Sequence, residues 1–344
     1  VGYYTAKRAG IGLNFGRIRS IGDKIRSGEV IHTGVVPFLK MFEATTKSCT
    51  QNGVRGGSST THFPYWHKEI SDILVLKNNK GTDDNRVRKM DYSIQFNRLF
   101  YKRFVENKDI TLFSPGDVPE LYSAFFRTNE EFEALYEKYE ADKKIKTKKI
   151  KARELMNSFV QERIGTGRIY VMNVDHVNSH SSFLEPIYMS NLCQEITLPT
   201  TPITHVDDAD DTESEIALCV LSAINLGEFK DLSELETICE NIVRSLDFII
   251  ENQDYPVKAA RKMLKRRSIG VGITNLAYYL AKNDVTFDDD AALYLLDEVM
   301  EHIQYYLIKA SVKLAREMGK CEYFDRTKYS QGILPIDTYC KSVD

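Results

Sequence analysis

Apolar positions recur along this chain with more than one period. Phe132, Leu135, Tyr136 and Tyr139 follow i, i+3, i+4, i+7 spacing, which places them on one face of an amphipathic helix. Thr128-Asn-Glu-Glu131 just before them has capping-box form, a hydroxyl for the N3 amide and a carboxylate for the N-cap amide. Leu232, Leu235, Ile238, Ile242, Leu246 and Ile249 keep a second helical stripe, and residues 291–318 predict a long third helix stopped by Gly319 at C′. Residues 169–172, Ile-Tyr-Val-Met, read as a buried strand. Residues 68–76 and 91–105 mix apolar and polar positions without a clear period. In residues 1–60, glycines at 2, 10, 12, 16, 22, 28, 34, 53, 56 and 57 predict tight turns and close backbone approach in place of long helices. Residues 201–214 are acidic and turn-rich, a surface loop. Strands alternating with helices predict an α/β class with parallel pairing. No internal repeat is visible.

The 344 residues are 42% hydrophobic with net charge −3. That supports a large core and one to three domains. The lack of a basic field argues against a nucleic-acid partner. Lys143-Lys-Ile-Lys-Thr-Lys-Lys149 is read as a solvated helix start or loop. No apolar run approaches about 18 residues, so no membrane span is expected, and no leader supports secretion. Six cysteines lie at 49, 193, 219, 239, 321 and 340 without a C-x-x-C pair, which disfavours zinc-ribbon and thioredoxin-type readings and fits a reducing cytoplasm. The chain opens on Val1 and is expected to be a processed, split or truncated piece.

The most informative stretch is Asn191-Leu-Cys-Gln-Glu195. If it is extended, side chains alternate with period two, and Asn191, Cys193 and Glu195 share a face. A carboxylate beside a thiol favours S–H over S⁻. A neutral thiol attacks poorly but is suited to exchanging a hydrogen atom. On the stretch alone, a buried packing cysteine remains open. Other motifs carry less. Gly270-Val-Gly272 lacks the third glycine of a dinucleotide fingerprint, Asn275 standing there. Asp175-His176 with His180 lacks a clear third metal ligand, and Cys49 near Arg55 is read as incidental.

Ser190-Asn-Leu-Cys-Gln-Glu-Ile196, Glu215-Ile-Ala-Leu-Cys219 and Leu221-Ser-Ala-Ile-Asn-Leu-Gly227 together resemble the large (α) subunit of class I ribonucleotide reductase. So do Lys47-Ser-Cys-Thr-Gln-Asn-Gly-Val-Arg-Gly-Gly57, Thr166-Gly-Arg-Ile-Tyr170 and Gly332-Ile-Leu-Pro-Ile-Asp337, in order and nearly end to end. The resemblance implies a ten-stranded α/β barrel of two five-stranded halves, incomplete in this chain, with Cys193 on a central loop. The whole of 1–344 is then expected to be one partial catalytic barrel domain.

It further implies that Cys193 is the thiyl site that takes the 3′-hydrogen of a ribonucleoside diphosphate. Glu195 is the implied general base on the 3′-OH, and Asn191 holds the ribose hydroxyls. Cys219, which its Ala-Leu-Cys-Val-Leu setting alone would assign to packing, becomes half of a redox pair. Ala9 and Gly10 match main-chain substrate contacts. Arg19 and Arg26 would face the phosphates of a dNTP or ATP effector. Gln51 and Arg55 lie in a Gly-rich specificity loop that the residues alone would equally read as a mobile turn. No cofactor is expected on the chain itself. The implied helpers are a thioredoxin- or glutaredoxin-type dithiol and a small β subunit holding a diiron-tyrosyl radical. A homodimer of α and complementary α segments are also implied. The regulatory cone, the partner of Cys219, the radical-passing tyrosines and a C-terminal cysteine pair are expected outside this chain, which alone should not turn over. Two alternatives are a non-catalytic nucleotide-binding fragment and a cobalamin-dependent reductase. The Leu between Asn191 and Cys193 argues against the latter.

Overall fold

The computed structural model describes residues 1–49, 53, 56–203, 213–218 and 220–339. The chain divides into two compact units, 1–199 with 333–344, and 200–332.

The first unit is built on four parallel strands, β1 (Ile11–Asn14), β4 (Ser59–Pro64), β5 (Asp91–Phe96) and β8 (Ile169–Asn173), in that spatial order. Between them in sequence lie two short antiparallel pairs, β2 (Lys24–Ile25) with β3 (Val30–Ile31) and β6 (Asp109–Leu112) with β7 (Lys148–Lys151). The register sets Asn14, His62, Ser93 and Tyr170 side by side across β1, β4, β5 and β8. Neighbours at ±2 continue that polar row with Thr60 and Gln95, while Phe63, Tyr92, Ile94 and Phe96 occupy the alternate positions. The alternate positions join an aromatic core with Tyr65, Trp66, Phe100, Phe125 and Phe132. Both faces of β4 and β5 are buried, so the polar row must find hydrogen-bond partners.

The helix Asn129–Ala141 forms where the pattern predicts, burying Phe132 and Tyr136. Thr128 caps it, its hydroxyl accepting from Glu131 N–H at 3.2 Å. The reciprocal arm of the box is replaced, because the Glu131 carboxylate accepts from Arg127 instead. Several expectations are corrected. The glycine-rich opening does hold a 13-residue helix, Val36–Ser48, started by Pro37 in its first turn and buried through Leu39 and Thr46. The lysine run is a loop over residues 143–147, as expected, and only its last two residues, Lys148 and Lys149, enter β7 and pair with β6. Strand 169–172 is only half buried, because β8 ends the sheet and leaves Val171 exposed. Residues 68–76 and 91–105, which show no clear period in sequence, contain helix Ile70–Leu74, strand β5 and helix Arg98–Val105.

The second unit pairs β9 (Leu221–Asn225) parallel with β10 (Gly270–Thr274) under helices Glu234–Asn252 and Asp290–Met318. Gly270 and Gly272 lie inside β10. The longer helix ends at Gly319, whose φ of 90° few other residues tolerate. The stripe of the shorter helix is rotated from the expected one. Leu235, Cys239, Val243, Leu246 and Ile250 are buried and Ile249 is exposed. A 4, 4, 3, 4 spacing tracks a 3.6-residue turn better than the 3, 3, 4, 4, 3 run that periodicity picked.

Within this unit Arg266 grips Glu215 with two buried bonds of 2.5 and 2.8 Å. Removing one partner of a buried pair strands the other charge. Glu215→Ala is therefore expected to destabilise the unit by about 3 kcal/mol, read as a lowered thermal midpoint. A change within ordinary surface-mutation scatter would show the pair to be dispensable.

Candidate active site

The stretch 191–195 is not extended. Residues 192–194 turn, and Gln194 takes a left-handed φ of 73°. The expected alternation of faces is therefore wrong, and the turn explains why. Asn191 N–H donates to the Ile196 carbonyl at 3.3 Å, and Ile196 N–H donates to Asn191 Oδ1 at 3.0 Å. Ser190 Oγ adds a 2.6 Å bond to the same Ile196 carbonyl. The loop closes on itself, so its backbone does not need a strand partner. Cys193 and Glu195 still emerge together, and they are the only exposed residues in 190–196.

The loop and the segment before it lie on the polar row of the sheet and take up most of its donors, while Gln95 Oε1 stays without a partner among the described residues. Thr60 Oγ1 donates to the Leu192 carbonyl at 2.7 Å. Asn14 and Gln95 side chains both donate to the Tyr188 carbonyl, at 2.6 and 2.8 Å. Gly12 makes the close approach possible, since a Cβ there would sit 2.1 Å from the Ser190 carbonyl oxygen. Gly10 lies against Leu192 in the same way, with 2.5 Å from a Cβ to Leu192 Cδ2. Gly10, with Ala9 preceding it, is thereby beside the loop. Asn191 uses its carbonyl oxygen inside the loop, and its NH₂ has no partner among the described residues.

Three residues at this site escaped sequence reasoning. His62 is fully buried and contacts Leu13, Ser190 and Gln194. Ser93 reaches Gln194. Tyr170 is close enough to feel Cys193 and Glu195. Burial first, then the Asp91 carboxylate, push its phenol up, and charge on Cys193 and Glu195 adds in the same direction against Arg168. The available signal was the alternation of polar residues in Ser59-Thr-Thr-His-Phe-Pro64 and Asp91-Tyr-Ser-Ile-Gln-Phe96, strands otherwise fit for a core.

Arg19 and Arg26 are exposed and make no ion pair among the described residues. Arg19 lies across Gly116, where a Cβ would meet its Nη1 at 2.3 Å. Both belong to a segment tied down by Glu69, which accepts from Ile21 N–H at 2.9 Å and Val35 N–H at 3.3 Å. Burial pushes the Glu69 carboxyl up, against those two bonds. Ser114 joins the same segment, accepting from Ser20 N–H and donating to Asp23. Gln51, Arg55 and Cys219 lie outside the described residues. Asp175 and His180 sit on the short helix Val174–His180, where Asp175 accepts from Arg98 N–H. Among the described residues, no cluster of three or more His, Cys, Asp or Glu is arranged to hold a metal, and no helix is long and apolar enough to cross a membrane.

A family model described as ribonucleotide reductase, barrel domain, matches residues 1–344. The ribonucleoside-diphosphate reductase subunit alpha of Haemophilus influenzae is 54% identical over 99% of this chain and 45% of its own length. The ribonucleoside-diphosphate reductase 1 subunit alpha of Escherichia coli K12 is 52% identical, with the same coverage of both chains. The subunit alpha of Enterobacteria phage T4 is 48% identical, again over 99% of this chain and 45% of its own. The chain thus spans about half the length of the curated relatives it matches.

Proposed function

This chain belongs to the ribonucleotide reductase barrel family, and on that premise we propose that it is the central part of the α subunit of a ribonucleoside-diphosphate reductase. The reaction replaces the ribose 2′-OH with hydrogen. Hydroxide leaves a saturated carbon poorly, and a radical at C3′ makes its loss as water feasible. Cys193, as a thiyl radical, takes the 3′-hydrogen atom and later returns it. Glu195 takes the 3′-OH proton, and the spare NH₂ of Asn191 holds the ribose hydroxyls in place. Ala9 and Gly10 add main-chain contacts. A dithiol supplies two electrons and two hydrogens, so that C2′–OH and two thiols become C2′–H, water and a disulfide. Cys219 is one of those sulfurs, and an external dithiol of thioredoxin or glutaredoxin type reopens the bond. A small radical-generating subunit with a diiron-tyrosyl radical oxidises Cys193 at the start. Arg19 and Arg26 meet the phosphates of a dNTP or ATP effector, and the loop with Gln51 and Arg55 relays effector identity within an α homodimer. The chain acts in a cytoplasmic setting, complemented by the remaining α segments.

The observation that carries this reading is the closed loop 190–196, which exposes one thiol and one carboxylate and anchors everything between and around them. The test is assembly of the complete α polypeptide containing this segment with a radical-generating subunit and reduced thioredoxin. Deoxynucleoside diphosphate should form. Glu195→Gln should lower kcat by about 10²-fold or more with nucleotide affinity retained. No product from the parent assembly would reject the function, and full turnover by the variant would reject the role of Glu195. A requirement for added cobalamin would replace the diiron-tyrosyl partner.

A further inference from the structure

We propose that His62, with Gln194 and Ser93, is the seat that sets the position of Cys193 and Glu195, and that His62 is its positioning residue. The catalytic consequence rests on the hydrogen-atom-transfer reading above, and the geometry does not.

Proton placement decides how the seat works. His62 Nδ1 lies 2.8 Å from the Leu13 carbonyl. A carbonyl only accepts, so Nδ1 carries the hydrogen. The buried imidazole is neutral, burial holding its pKa far below the usual histidine value. Nε2 therefore offers a lone pair. Two donors use it, Ser190 N–H at 3.2 Å and the Gln194 NH₂ at 3.0 Å. This also orients the Gln194 amide. Its NH₂ faces His62 and the Asn191 carbonyl, at 3.1 Å from the latter, and its Oε1 accepts from Ser93 Oγ at 3.0 Å. The 3.2 Å approach of Oε1 to Nε2 brings two acceptors together and is not a bond.

The result is a clamp on both flanks of the thiol. Leu192, before Cys193, is held through its carbonyl by Thr60. Gln194, after it, is held through its side chain by β4 and β5. The left-handed backbone at Gln194 lets that side chain stay half buried while Cys193 and Glu195 on either side are exposed. Apolar packing would hold the loop down without fixing its direction. Hydrogen bonds to one lone pair fix both.

Two amides dissect the imidazole. In His62→Gln, the longer amide can present its oxygen where Nε2 sits and keep an acceptor for the loop. In His62→Asn, the shorter amide keeps a donor for Leu13 and does not reach the loop. In the complete α polypeptide with its radical-generating subunit, His62→Gln is expected within about threefold of the parent kcat, and His62→Asn about 10- to 100-fold below it, since misplacement on the order of 1 Å carries such losses. Nucleotide affinity should hold in both. Alkylation of Cys193 by iodoacetamide, followed on its own peptide by mass spectrometry, is a readout independent of turnover. It should match the parent in His62→Gln and rise several-fold in His62→Asn. Gln194→Leu, a change in the loop and not in the strand, should raise it equally even where His62→Asn does not fold.

Equal alkylation in the parent, His62→Asn and Gln194→Leu would overturn the proposal. So would His62→Gln behaving like His62→Asn, which would assign the imidazole to strand packing. If alkylation follows the expected order while the parent assembly makes no deoxynucleotide, the seat stands and the reductase reading falls.

Discussion

Cys193→Ser is expected to abolish deoxynucleotide formation by the complete reductase while nucleotide affinity and thermal midpoint stay at parental values. The exchange swaps one chalcogen for a smaller one on an exposed side chain. Changes of that kind away from the core move stability by about 0.5 kcal/mol or less. The anchors of the loop are untouched, because they run through Leu192, Gln194 and the backbone of residues 190, 191 and 196. What disappears is the S–H bond. A thiol gives up and regains a hydrogen atom reversibly, whereas a serine O–H is too strong to be oxidised to a usable radical. The loss therefore falls on kcat and not on binding, the pattern of an interaction needed only for the chemistry. The checks are product formation and equilibrium nucleotide binding on the same preparation. Retained turnover would remove Cys193 from the chemistry altogether.

The second large effect is loss of stability in mild acid. His62 and His67 are both fully buried, and burial lowers each from an ordinary pKa of 6.5 to about 4. A depressed folded-state value means that the unfolded chain takes up the proton first. Stability is therefore complete above pH 6.5 and falls as pH drops from 6.5 toward 4. At pH 5 each histidine costs about 2 kcal/mol, and the pair about 4 kcal/mol. The bonds explain why neither can charge cheaply. His62 Nε2 accepts from Ser190 N–H, and His67 Nδ1 accepts from Glu69 N–H at 3.2 Å while its Nε2 donates to the Ile18 carbonyl at 2.9 Å. A proton on either acceptor nitrogen would point a donor at a donor. Thermal or denaturant midpoints at pH 7 and pH 5 measure the effect. A midpoint independent of pH over this range would show that the two rings are not held neutral by the fold.

Much of the architecture was legible in the sequence. The helix at 129–141 was announced by its cap and its stripe, and the helix at 290–318 by length and terminal glycine, because both depend on contacts within a few turns. Parallel pairing followed from alternation of elements. The failures share a cause. The last two lysines of the basic run, Lys148 and Lys149, joined β7 because β6 was there to pair with them. The stripe of helix Glu234–Asn252 turned because its packing partner, not local hydropathy, chose between Ile249 and Ile250.

The site divides in the same way. Its proposed reagents, the thiol of Cys193, the carboxylate of Glu195 and the amide of Asn191, were readable in five consecutive residues, since side-chain chemistry travels with the residue. Their arrangement was not. Period-two alternation assumes that an exposed backbone seeks a ladder, but here the loop is satisfied by itself and by side chains far away in sequence, with His62 lying 132 positions from Gln194 and Ser93 101. Only folding brings those strands into register, excludes water from the imidazole and so leaves it a lone pair to hold the loop.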